Sequence, residues 1–165
     1  MEIRVLDFDI LTKNYKNYQD GIKRIAGEKN QFITKLGPLK NEMESIITAA
    51  KSGLILDPAS QRQKEQRFSE LQQEAMMIDN EFKSKMRELH DELNKTTFDE
   101  LSEFVNEWAK ENSIDLITGK MEVDFVSDKF DATNHILDIL KEKDLYVEYV
   151  EAVSDQITDS VTQSI

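Results

Sequence analysis

The chain has 165 residues with a formal net charge of −12, no cysteine, five glycines and two prolines. The absence of cysteine excludes a disulfide framework, a thiolate metal site and a cysteine nucleophile, and no apolar run approaches the roughly 18 residues that a membrane-spanning helix needs. Residues 97–165 carry 17 acidic and 5 basic side chains while residues 20–96 carry 13 of each. An acidic body of this kind repels phosphate backbones, so nucleic acid is not an expected partner of the protein.

The first predicted element is a buried strand over residues 2–8, because apolar residues dominate this short run. Asp9 is the expected N-cap of a helix that begins at Ile10. The two carboxylates at Asp7 and Asp9 could suggest a metal site, but no second cluster of ligands lies at a telling spacing. We therefore predict no metal site. Residues 1–5 also lack the basic start and apolar core of a secretory signal.

A long helical arm is predicted over residues 21–96. Apolar residues recur there at steps of three and four, which is the seam of a coiled coil. Lys29 interrupts the first half of this seam, and two successive steps of four between Ile78 and Met86 shift the second half locally, as at a stutter. The Gly37-Pro38 pair predicts a bend in the first helix, since proline removes a backbone donor, but the apolar register continues through it and the helix should not end. The first half of the seam consists of Ile22, Ile25, Phe32, Leu36, Leu39, Met43, Ile46 and Ala50. The second half consists of Phe68, Leu71, Ala75, Ile78, Phe82, Met86, Leu89 and Leu93.

The arm should turn at a tip over residues 53–60. Gly53 is typical of a helix end, and Asp57-Pro58 of a helix start. Two amphipathic helices joined by so short a turn form an antiparallel hairpin. The apolar residues of the tip are a candidate partner-binding patch, although packing within the turn explains them equally well. They are Leu54, Ile55 and Leu56.

In the C-terminal part of the chain the spacing of the apolar residues changes. Thr97 and Glu100 match a capping box, so either a new helix begins there or the long helix passes through. Two short apolar runs over residues 114–118 and 122–127 are typical of strands. Ser127 or Asp128 should then cap a last helix.

Three short strands can bury themselves only by coming together, so we predict that the arm is an insertion in a small body. The body comprises residues 1–20 and 97–143, and residues 144–165 form an acidic extension that is either a further helix or a frayed end. The expected fold class is mainly α with a small β body.

Several stretches resemble the Skp/OmpH family of trimeric holdase chaperones. Residues 5–8 are similar to the family's first strand, and residues 53–56 are similar to its arm turn. The most specific similarity is in residues 112–117, 123–128 and 131–137, which resemble the family's C-terminal strands and helix. The resemblance implies a homotrimer with a central body of strands and three arms around a cavity for unfolded clients, without cofactor or catalytic residues.

The residues support two function classes and argue against an enzyme. The only imidazoles are His90 and His135, and no glycine-rich phosphate loop is present. As an ATP-independent holdase, the protein would contact non-native clients through apolar residues of its arm and tip, and it would trimerise through apolar residues of its body. The expected client-binding residues are Ile33, Ile47, Leu54, Ile55, Leu56, Met76 and Met77. The expected trimer-body residues are Val5, Phe8, Ile114, Leu116, Val123 and Phe125.

The alternative is a structural or assembly protein, including a virus-encoded one, that binds one folded partner through its arms. Met76 and Met77 fit either core filling or an adaptable surface. The location would be periplasmic if a signal peptide has been removed from this chain, and otherwise cytoplasmic. Stable membrane insertion is not expected.

Overall fold

The protein is mostly helical with a small β component, and a computed structural model describes residues 1–53 and 56–151. Its chain divides into two compact units, one formed by residues 1–24 with those from residue 91 onward, the other by residues 25–90. The predicted boundaries between body and arm, after residues 20 and 96, stay a prediction. In chain order the elements are β1 (Ile3–Leu6), α1 (Phe8–Asn14), α2 (Lys16–Lys51), α3 (Pro58–Glu111), β2 (Leu116–Gly119), a 3₁₀ turn (Lys120–Glu122) and α4 (Thr133–Glu142).

The first unit contains a two-stranded parallel sheet in which β1 pairs with β2, Ile3 opposite Leu116 and Leu6 opposite Gly119. The other edge of β1 is also occupied, because Val5 donates its N–H to the carbonyl of Phe130 at 2.8 Å and accepts from the N–H of Ala132 at 3.0 Å.

The predicted strand over residues 122–127 is therefore wrong. After the 3₁₀ turn, this segment pairs with no strand in the described part of the chain. The reason lies in the sheet: both edges of β1 are already used, so the apolar run at 122–127 finds no place beside it. A strand needs a hydrogen-bonding neighbour, and alternating apolar residues alone do not supply one.

Two helix starts also differ from the sequence-based prediction. Asp7, not Asp9, caps α1, since the Asp7 carboxylate accepts the N–H of Ile10 at 3.1 Å. The last helix begins at Thr133 and not after Ser127 or Asp128. The two shifts have opposite directions. α1 begins earlier than predicted because β1 already ends at Leu6, whereas α4 begins later because residues 130–132 first pair with β1.

At the start of α4 the Asp131 carboxylate accepts both the N–H and the hydroxyl of Thr133, at 3.0 and 2.6 Å. The same threonine oxygen accepts the N–H of Asp7 at 2.9 Å, so this helix start is tied to the end of β1. Ser127, one of the two predicted caps, instead accepts the N–H of Phe130 in a turn.

The core of the first unit lies where α3 meets α1, α4 and β1. Leu101, Val105 and Trp108 follow one face of α3 at steps of four and three, and all three are buried. Burying such side chains stabilises the fold by about 1.5 to 3 kcal/mol each. α3 continues through Thr97, which is itself buried, so no new helix begins there. The other buried members are Leu6, Leu11, Tyr15, Ala132, Ile136 and Leu140.

The chain after α4 crosses the break between α1 and α2. Tyr15 has an extended backbone, which separates the two helices. The N–H of Val147 donates to the carbonyl of Asn14, and the N–H of Lys16 donates to the carbonyl of Leu145, both at 2.9 Å. Neither predicted alternative, a helix or a frayed end, holds for residues 144–149; residues 152–165 lie outside the described part.

In the second unit α2 and α3 contact each other through an aromatic pair and an ion pair. The rings of Phe32 and Phe82 have centroids 5.3 Å apart, and Glu42 accepts two hydrogen bonds from Arg67. α2 continues without a break through Pro38, as the apolar register predicted.

Candidate client-binding and assembly surfaces

The second unit carries exposed apolar side chains. Met76 and Met77 on α3 are 61% and 71% exposed, and Ile33 and Ile47 on α2 are 53% and 41% exposed. Both methionines are exposed in the described chain, so they do not fill its core, and their role in binding clients stays a prediction. A large apolar side chain in water is a candidate contact for another chain when several occur together. The predicted contacts Leu54 and Ile55 lie outside the described residues.

An apolar cleft lies between α2 and the beginning of α3. Its volume is about 430 Å³, and Ile47 and Leu56 are among its lining residues. Leu56 is half-buried. Two of the residues predicted to bind clients thus line one concave apolar surface. The remaining lining residues are Ile46, Ala50, Gln61, Lys64, Glu65 and Phe68.

Charges in the second unit balance, since residues 25–90 contain ten basic and ten acidic side chains. Arg67 binds Glu42 through Nε and a terminal nitrogen at 2.7 and 2.8 Å. The hydrogen bond from Arg67 lowers the pKa of the Glu42 carboxyl below its ordinary value. Because both groups face water, the pair fixes local geometry more than it stabilises the fold. The apolar contacts therefore lie on a helical surface of no net charge.

The predicted trimer-body residues fall into two groups. Val5 is buried within the chain's own core, while Phe8 and Ile114 are half-buried against it. Leu116 and Phe125, in contrast, are 50% and 85% exposed. Val123 is intermediate.

Other exposed apolar residues were not identified from the sequence, and Met121 and Phe98 are among them. Met121 is 94% exposed and Phe98 is 65% exposed. No periodic pattern distinguishes them, because Met121 lies in a 3₁₀ turn and Phe98 lies next to buried positions of α3. Their exposure depends on how the neighbouring elements pack.

A polar group is buried where α2 begins. The hydroxyl of Tyr15 donates to the Glu100 carboxylate at 2.7 Å, and the side-chain amide of Asn17 donates to the same oxygen at 3.0 Å. Burial, with a further contribution from the bond to Glu100, raises the pKa of Tyr15 to about 12. This arrangement favours the neutral phenol and ties α2 to α3.

Within residues 1–53 and 56–151, no group of three or more His, Asp or Glu side chains is arranged to hold a metal ion. None of the helices in these same residues combines the length and the apolar character required to cross a bilayer.

One comparison with known proteins is informative. A family model described as outer membrane protein (OmpH-like) matches residues 2–140. The match includes both strands and nearly all of α4. No curated protein matches the chain.

Proposed function

Because this chain belongs to the family of OmpH-like outer membrane proteins, we propose that it is an ATP-independent holdase chaperone that acts as a homotrimer. In this proposal, α2 and α3 pair as an antiparallel hairpin arm, and the arms of three copies enclose a non-native client. Family membership supports the chaperone class. The periplasm is the proposed location.

The observation that carries the client-binding role is the exposure of Ile33, Ile47, Met76 and Met77 on a unit without net charge. Apolar side chains separated by charged neighbours give many weak contacts, which suits a client that has no fixed shape. Methionine is especially adaptable, because it is unbranched and polarizable. A holdase does not need to bind one particular client structure tightly.

The contacts between α2 and α3 support the hairpin. Phe32 of α2 contacts Phe82 of α3. Glu42 lies further along α2 than Phe32, but its partner Arg67 lies earlier in α3 than Phe82. As the residue number rises in one helix it falls in the other, which is the order of an antiparallel pair.

Exposed apolar residues in the first unit support the trimer. Leu116, Met121 and Phe125 are at least half exposed in the single chain. Two paired strands are also few for a stable small body. Association of copies would remove these side chains from water.

The test is suppression of aggregation. A β-rich protein is denatured in urea and diluted into buffer, and light scattering is followed with increasing amounts of the chaperone. We expect suppression by less than one trimer per client, without nucleotide. The variant Met76→Ser/Met77→Ser should need several-fold more protein for the same effect.

The matched control is Gln72→Ser/Gln73→Ser. These two glutamines are exposed and lie four residues earlier on α3, so they share the faces of the two methionines. This control should act like the unmodified protein. No suppression at any ratio would exclude the holdase, and co-purification of a single stoichiometric partner would favour the assembly protein.

A further inference from the structure

Helices α1 and α2 follow each other directly, with one residue of extended backbone, Tyr15, between them. Residues 8–20 contain neither proline nor glycine, and these are the two residues that disfavour a helix most strongly. Nothing in the local sequence therefore forces the helix to stop at this point. The cause of the break must lie in what packs against it.

A continuous helix would use the backbone groups at the break within itself. The N–H of Lys16 would donate to the carbonyl of Thr12, and the carbonyl of Asn14 would accept the N–H four residues later. In the structure the N–H of Lys16 donates instead to the carbonyl of Leu145, at 2.9 Å. The carbonyl of Asn14 accepts the N–H of Val147, also at 2.9 Å. The segment after α4 thus takes over one donor and one acceptor that a continuous helix would need.

The N–H of Tyr18 loses its helical acceptor as a result, because Tyr18 lies four residues after Asn14. It forms no hydrogen bond within the part of the chain that the structure describes. The first N–H groups of a helix have no partner within that helix, and Tyr18 lies in the first turn of α2. The Tyr18 N–H therefore reports whether α1 and α2 are separate or merged.

Residues 144–149, which we call the strap, have further attachments at the break. The side-chain oxygen of Asn14 accepts the N–H of Tyr149 at 2.9 Å. Leu145 and Tyr146 are partly buried against the core of the first unit. Backbone pairing, a side-chain hydrogen bond and apolar packing thus all hold the strap in place.

We infer that the strap holds α1 and α2 apart, and that without it the two would merge into one helix from Phe8 to Lys51. The two arrangements exclude each other, because they use the same donor and the same acceptor. The strap thereby fixes where α2, the first helix of the proposed arm, begins. It lies beyond residues 2–140, which match the family model. All of its contacts described above lie within one chain, so its role does not depend on the holdase function proposed above.

Hydrogen exchange resolved to single amides tests the strap in the full-length chain. Val147→Pro removes the N–H that donates to Asn14, whereas the matched control Val147→Ala keeps it. We expect the amide of Tyr18 to exchange about tenfold more slowly in Val147→Pro, because it gains a bond to the Asn14 carbonyl. In Val147→Ala it should exchange as in the unmodified protein. Simple loosening of the structure would instead make exchange faster.

Asn14→Ala is a second and milder variant. It removes the side-chain oxygen that binds Tyr149 and places a strong helix former at the break, so the amide of Tyr18 should again exchange more slowly. In every variant the amide of Ile136, which donates to the carbonyl of Ala132, should stay protected. That protection shows that the core is still folded.

The hydrogen bond between Tyr15 and Glu100 is the competing explanation for the break. If that bond holds the helices apart, Tyr15→Phe should slow the exchange of Tyr18 and Val147→Pro should not, and this result would overturn the inference. Unchanged exchange of Tyr18 in both Asn14→Ala and Val147→Pro, with Ile136 protected, would overturn it as well. Equal slowing by Val147→Pro and Val147→Ala would assign the effect to the valine side chain and refute a hydrogen-bonded strap.

Discussion

The approach of α2 to α3 at Gly21 gives a sharp prediction about stability. A Cβ added at Gly21 would lie 2.9 Å from Leu93 Cδ2 and 3.2 Å from Leu93 Cγ, and closer still to Cδ1. Leu93 is buried, and its side chain would have to shift to admit the new Cβ. Gly27, in contrast, is an exposed residue of the same helix, and a Cβ there would meet nothing within 4 Å. The two glycines thus form a matched pair.

The magnitudes follow from two opposing effects. Replacing glycine by alanine inside a helix is worth about 1 kcal/mol of stability, which Gly27→Ala should gain in full. At Gly21 the same gain is opposed by overpacking, which costs about 1 to 3 kcal/mol. We therefore expect Gly21→Ala to be destabilising by up to about 2 kcal/mol. Its sign should be opposite to that of Gly27→Ala.

Shortening the Leu93 side chain should remove the steric clash with a Cβ at position 21. Leu93→Ala alone should cost about 2 to 5 kcal/mol, since it leaves a cavity. In that background Gly21→Ala should become stabilising, and the two changes should be coupled by about 1 to 3 kcal/mol. The assay is urea unfolding followed by far-UV circular dichroism, at one protomer concentration because association shifts apparent stability. Equal stabilisation by Gly21→Ala and Gly27→Ala would refute the close approach.

Two further predictions concern the first unit. Tyr15→Phe removes the hydrogen bond to Glu100 and should cost about 1 to 3 kcal/mol at neutral pH. The folded pKa of Tyr15 is raised, from 10 to about 12, so the phenol stabilises the fold below pH 10 and this contribution is lost as pH rises to 12. The difference in free energy of unfolding between wild type and Tyr15→Phe should shrink across that window; a constant difference would contradict the assignment. Ile136→Ala removes a side chain with no exposed surface and should cost about 2 to 5 kcal/mol by urea unfolding. Asn134→Ala, on the exposed side of α4, should stay within about 0.5 kcal/mol, and equal effects of the two changes would be inconsistent with the core described.

The helical arm and the C-terminal part of the chain differ in net charge. Residues 25–90 carry no net charge, while residues 97–165 have twelve more acidic than basic side chains. On the proposed function, client binding through the arm should depend little on salt, because its proposed contacts are apolar side chains and salt screens interactions between charges.

The amino-acid sequence by itself determined the long helices. Apolar residues at steps of three and four place a continuous seam on one face, and this signal is local and repeated over many turns. The same apolar pattern correctly predicted that α2 continues through Pro38, because the spacing of Leu36 and Leu39 keeps to it there. The resemblance in the C-terminal block identified the family, which the match over residues 2–140 confirms.

Only the tertiary structure decided how the small sheet is built. Whether residues 122–127 form a strand depends on a free edge of β1, and that edge is taken by residues 130–132. The N-cap of α1 moved from Asp9 to Asp7 for a related reason, since the helix begins where pairing of β1 ends. Helices satisfy their backbone groups within a few residues, whereas strands need partners that lie far away in the sequence. The exposure of Phe125 is a consequence of those distant pairings, so no local pattern could have revealed it.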